Sequence, residues 1–87
     1  MRIYKYPMVI TDKQTILMPK DAVILDIQIQ DQQLVLWAIV NPGNEIEIRH
    51  FNIYGTGHEI DSEVSKQYIG TYKLFNGDLV FHVFEIF

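Results

Sequence analysis

The dominant hydrophobic period along this chain is two. From Ala22 to Gln30, Val23, Leu25, Ile27 and Ile29 alternate with Asp26, Gln28 and Gln30, the spacing of a strand with one buried face. The pattern places those four apolar residues together on the buried side. Asp31 and Gln32 then make a tight connection into Gln33 to Val40. That second run is apolar on both faces and reads as a central strand, with Trp37 as a core residue.

Turn chemistry divides the rest. Asn41-Pro42-Gly43-Asn44 is a strong turn signal, because Pro42 presets φ and Gly43 tolerates positive φ. A strand from Glu45 to about Tyr54 follows, and Gly55-Thr56-Gly57-His58 ends it. Tyr68 to Leu74 is a further strand. Asn76-Gly77, a favoured hairpin dipeptide, leads into Leu79 to Phe87. At the front, Arg2 to Tyr6 stops at Pro7 and Gln14 to Met18 stops at Pro19. The polar stretch Asp61 to Lys66 is the one place where a short helix is expected. About seven short strands with frequent turns predict a mostly β domain, an antiparallel sandwich or partly open barrel. No repeat, linker or low-complexity segment divides residues 1–87, so one domain is expected.

Composition narrows the classes of function. With 87 residues, the chain buries a modest core. It has no cysteine, so it can form neither a disulfide nor a thiolate site, which suits a reducing cytoplasm. The N-terminal residues lack the apolar run of a secretory signal, and no run approaches the ~20 residues that cross a bilayer. A cytoplasmic protein that does not bind membranes is expected. The formal net charge of −4 argues against general nucleic-acid binding. It leaves room for one small anionic ligand held by a local cluster.

Several segments also carry a resemblance. Ile3-Tyr4-Lys5-Tyr6-Pro7, Met18-Pro19, Leu36-Trp37-Ala38, Val40-Asn41-Pro42, Ile53-Tyr54-Gly55-Thr56-Gly57-His58, Tyr68-Ile69-Gly70-Thr71 and Leu79-Val80-Phe81-His82-Val83-Phe84-Glu85 occur in that order. In this arrangement the chain resembles a family of short, uncharacterised proteins of bacteriophage and prophage genomes. The resemblance implies a phage accessory protein. By analogy of class, it implies a counter-defence factor that binds a host protein or sequesters a signalling nucleotide.

The residues offer little catalytic chemistry. There is no Gly-x-Ser-x-Gly and no His-Glu-x-x-His, and the carboxylates are scattered. No catalytic residue is assigned and no cofactor is expected. His50, His58 and His82 lie too far apart in sequence for a zinc pattern, so no metal is expected.

A ligand site is better supported. Gly55 and Gly57 flank Thr56 and could expose successive N–H groups as an anion nest, with His58 adding a titratable ring. The alternative is a sharp strand exit that needs positive φ. Arg49, in mid-strand, is the basic residue expected to meet an anion or a partner carboxylate. Tyr54, and Tyr4 with Tyr6 on one face of the first strand, offer stacking surfaces. The expected ligand-binding set is therefore Arg49, Tyr54, Thr56, His58, Tyr4 and Tyr6.

Leu79 to Phe87 carries a single charge, Glu85. Such a strand must be central, covered, or paired with another chain. A homo-oligomer, a dimer or higher, is expected. Two function classes remain: a non-enzymatic protein that sequesters a small anionic nucleotide, and a module that docks on a host protein. A small virion or assembly protein is a third.

Overall fold

A computed structural model describes residues Met1–Phe87. Seven strands form: β1 (Arg2–Pro7), β2 (Lys13–Pro19), β3 (Val23–Gln30), β4 (Gln33–Val40), β5 (Ile46–Gly55), β6 (Lys66–Leu74) and β7 (Leu79–Ile86). One sheet has the order β1-β4-β3 and the other β2-β5-β7-β6, with every pairing antiparallel. The two sheets stack as a sandwich and do not close into a barrel. This is the mostly β fold that the alternation predicts.

The core lies between the layers. Leu34, Leu36, Ala38 and Val40 of β4 meet Ile16 and Met18 of β2, Phe51 and Ile53 of β5, Tyr72 of β6 and Val83 of β7. Alternation therefore sends Val35, Trp37 and Ile39 to the outer face of the three-stranded sheet. Trp37 is half-buried there, so its core assignment is corrected. A strand apolar on both faces does not show which of its faces meets the other sheet.

Two bulges reset the alternation. In β3 the register shifts between Ile24 and Asp26. Ile24, Ile27 and Ile29 turn inward, while Val23 and Leu25 are exposed at 56% and 48%. The expected single face of Val23, Leu25, Ile27 and Ile29 is thus split, because one extra residue reverses every side chain before it. In β6 the shift falls between Tyr68 and Gly70. It leaves Tyr68 on the outside and buries Tyr72 within the sandwich. A Cβ on Gly70 would stand 2.8 Å from Ile27 Cγ1, so glycine lets β6 approach β3 at this corner.

The turns follow their sequences with one exception. Asp31 and Gln32 both take positive φ between paired Gln30 and Gln33, the two-residue hairpin expected. At Asn76-Gly77 the connection is longer: a 3-10 turn over Phe75–Gly77 joins paired Leu74 and Leu79. Asp61 to Lys66 forms no helix. The Asp61 carboxylate accepts from the Glu63 N–H, an Asx turn that competes with a helical start. β7 lies between β5 and β6, which settles the apolar C-terminal segment as a central strand.

Candidate functional site

The inner row of β7 contains one charge, Glu85, which is 4% exposed. Arg49 reaches it from the inner side of neighbouring β5. Its Nε and Nη2 both donate to the Glu85 carboxylate, the latter at 2.8 Å, and Nη1 donates to the Ala22 carbonyl at 2.8 Å. Glu47 lies farther off, at 3.9 Å. The bond to Glu85 holds the guanidinium above its ordinary pKa, against the opposing effect of burial. All three guanidinium nitrogens are thus engaged. Arg49 meets the carboxylate of its own chain and leaves the expected anion site.

Gly55-Thr56-Gly57-His58 forms a β-turn. The His58 N–H donates to the Gly55 carbonyl at 3.0 Å, and Gly57 takes a φ of 87°. The Thr56 N–H is also used, donating to the Val80 carbonyl at 3.1 Å. With two of its donors committed, the loop is not a nest. Gly55 serves a different purpose: a Cβ there would stand 2.8 Å from the His58 ring. Tyr4 and Tyr6 lie on β1, in the other sheet, with ring centroids 6.4 Å apart. Burial, then repulsion from Tyr4, raises the pKa of the Tyr6 phenol. The structure does not bring them to the Tyr54–His58 region.

The outer face of the four-stranded sheet gathers Tyr54 with groups outside the expected ligand-binding set. Register aligns Lys13, Asn52, Phe84 and Tyr68 in one row across all four strands. Tyr54, His82 and Thr71 form the next row, and Thr15, His50, Ile86 and Lys66 the row on the other side. Phe84 makes edge-on contacts with Tyr54 at 5.7 Å and Tyr68 at 5.5 Å. Asn52 Nδ2 donates to the Tyr54 hydroxyl at 3.0 Å. His82 is held from both sides, by Thr56 Oγ1 at 2.8 Å and Thr71 Oγ1 at 2.9 Å, and Thr71 continues to the Tyr68 hydroxyl at 2.5 Å. The edge-on rings leave aromatic surface beside a row of hydroxyl and amide groups.

β5 and β6 each run antiparallel to β7, so they run parallel to each other. The connection from Thr56 to Ser65 must therefore return along the sheet. Val64 from this connection walls an open hollow of about 430 Å³, lined also by Lys13, Thr15, His50, Asn52 and Ile86. A second hollow of about 310 Å³ shares Lys13 and Asn52 and is lined also by Tyr54, His58 and the carboxylates Asp12 and Glu59. No carboxylate lines the first hollow, although the chain carries a net charge of −4. Lys66 is occupied, donating to the Asp61 and Val64 carbonyls at 2.6 and 2.8 Å. Lys13 takes part in neither of the two salt bridges, both of which belong to Arg49.

Of the expected site residues, Tyr54 and His58 line this region, Thr56 orients His82, and Arg49, Tyr4 and Tyr6 lie elsewhere. The alternation of His82, Phe84 and Ile86 against Val83 and Glu85 was the available signal for the outer row. No group of three or more His, Asp or Glu side chains is placed to hold a metal ion. No helix is long and apolar enough to cross a membrane.

No curated protein and no solved structure matches the chain. A family described as a domain of unknown function (DUF7352) matches residues 1–86, nearly the whole length, and the protein belongs to that family.

Proposed function

We propose that this chain is a non-enzymatic binding protein that holds a small anionic nucleotide on the outer face of its four-stranded sheet. One observation carries the reading: the hollow beneath Val64 combines Lys13, His50, Thr15 and Asn52 with no carboxylate, in an otherwise acidic chain. Its size falls in the range of small-ligand sites. Lys13 and His50 would meet phosphate. Tyr54, in the adjoining hollow, and Phe84 beside it would offer ring surface to a base. In the setting that the phage resemblance implies, capture of a host signalling nucleotide would act as counter-defence.

The test is calorimetric titration of cyclic and linear nucleotides against the wild type, Lys13→Ala and His50→Ala. A charge-assisted hydrogen bond is worth about 1.5–3 kcal/mol. Each substitution should therefore weaken binding roughly ten- to a hundredfold. Absence of binding to every nucleotide would overturn the reading, and affinity unchanged by both substitutions would overturn the site.

A second reading has its own support. Leu17, Ile46 and Ile48 continue the same face beyond His50, each about 60% exposed. Such a strip favours docking on a host protein.

A further inference from the structure

The outer face of the three-stranded sheet is also unpartnered, and its pattern is self-complementary. Trp37, at its centre, has Lys5 directly opposite on β1 and Asp26 directly opposite on β3. All three share one face, because residues paired across antiparallel strands point the same way. The next row holds Ile3, Ile39 and Val23, and the row on the other side holds Pro7, Val35 and Gln28. Ile3 and Val23 are 63% and 56% exposed. Neither charge is paired within the chain. Lys5 Nζ donates to the Gln30 side chain at 2.9 Å, and Asp26 accepts from the Ile27 N–H at 2.8 Å and the Gln28 side chain at 3.3 Å.

We propose that this face is a two-fold interface between two copies of the chain. A two-fold axis parallel to β4, lying over Trp37 and midway between the two facing sheets, exchanges the β1 and β3 sides of the facing sheet. Lys5 then meets the partner's Asp26, and Asp26 meets the partner's Lys5. Trp37 meets the partner's Trp37, Ile39 the partner's Ile39, and Ile3 the partner's Val23. Two ion pairs thus flank an apolar centre, and one surface serves both copies, as an isologous contact requires. Aligned packing of sheets about 10 Å apart accommodates the arrangement. A face three strands wide is small for a protein interface, so the dimer is weak and reversible. This inference does not depend on the nucleotide site, which lies on the opposite side of the sandwich.

Trp37 is the only tryptophan, so its fluorescence reports on this face alone. Sedimentation equilibrium of the wild type up to about 1 mM should show a monomer–dimer equilibrium. The Trp37 emission should shift to the blue over the same concentrations. Lys5→Glu replaces both attractive pairs with repulsive ones and should weaken association by about tenfold. Lys5→Glu combined with Asp26→Lys restores the pairs with their signs exchanged and should recover most of the loss. Lys5→Arg keeps the charge, leaves the β3 bulge untouched and should associate like the wild type. A monomer throughout the range would overturn the proposal. So would a dimer whose Trp37 emission is constant, or one that Lys5→Glu leaves unchanged.

Discussion

Replacing Arg49 with methionine should cost more stability than replacing Arg49 and Glu85 together. In the folded chain Glu85 is 4% exposed and Arg49 supplies both of its charge-assisted hydrogen bonds. Arg49→Met strands that carboxylate among Phe51, Phe87 and the β3 entry. Breaking a buried pair from one side costs about 3–5 kcal/mol. The lower end applies, because the Arg49 side chain keeps 16% exposure. At about 0.05–0.15 kcal/mol per residue, the whole domain has roughly 4–13 kcal/mol to lose. Replacing both residues with methionine removes the charge along with its partner and should lie within about 1–2 kcal/mol of the wild type. The remaining cost is the Ala22 carbonyl, which loses its Arg49 donor. Urea unfolding followed by circular dichroism reads the difference. With m near 1.5 kcal/mol/M, Arg49→Met should lower the midpoint by about 2 M and the double variant by no more than about 1.3 M. A single substitution that shifts the midpoint no more than the double one would refute the reasoning, since Glu85 would then need no partner.

Other substitutions test separate parts of the fold. The Tyr72 hydroxyl is buried with no hydrogen-bond partner, so Tyr72→Phe should stabilise the protein by about 1 kcal/mol in the same urea assay. Burial also raises the Tyr72 pKa, so the fold favours the neutral phenol. That contribution is present below the ordinary tyrosine pKa of about 10 and is lost as pH rises beyond it, so wild-type stability should fall above that point and Tyr72→Phe should fall less. Gly70→Ala should cost about 1–3 kcal/mol in thermal or urea unfolding, because its Cβ would meet Ile27 Cγ1 at 2.8 Å. Leu36→Ala, at a fully buried position, should cost about 2–5 kcal/mol, and Trp37→Ala, measured on the monomer, should cost less.

Alternation and turn residues made the seven strands legible, because a half-buried strand must write its burial at every second position. They did not make the pairing legible. Nothing in the β2 segment names β5 as its neighbour, so the row of Lys13, Asn52, Phe84 and Tyr68 had no signature along the chain. The bulges at Leu25 and Ile69 were equally silent, and each reverses a face. Read without the β6 bulge, Tyr68, Gly70 and Tyr72 share one side. With it, Tyr68 is 54% exposed and Tyr72 is 4% exposed. Arg49 and Glu85 were the more readable pair. One basic residue in mid-strand and one acid in an apolar strand are groups that burial obliges to meet.

The proposed function requires the outer face of the four-stranded sheet to take an anionic, planar ligand. Nitrogen-15 heteronuclear NMR of the full chain, titrated with cyclic and linear nucleotides, tests it most directly. Lys13, His50, Asn52, Tyr54 and Val64 should shift with saturable dependence on concentration, while Lys5, Asp26 and Trp37 on the opposite face stay fixed. Inorganic phosphate should move Lys13 and His50 with weaker affinity and leave Tyr54 in place. A spectrum unchanged by every nucleotide, or shifts confined to the Tyr4 and Tyr6 strand, would rule out a ligand site on this face.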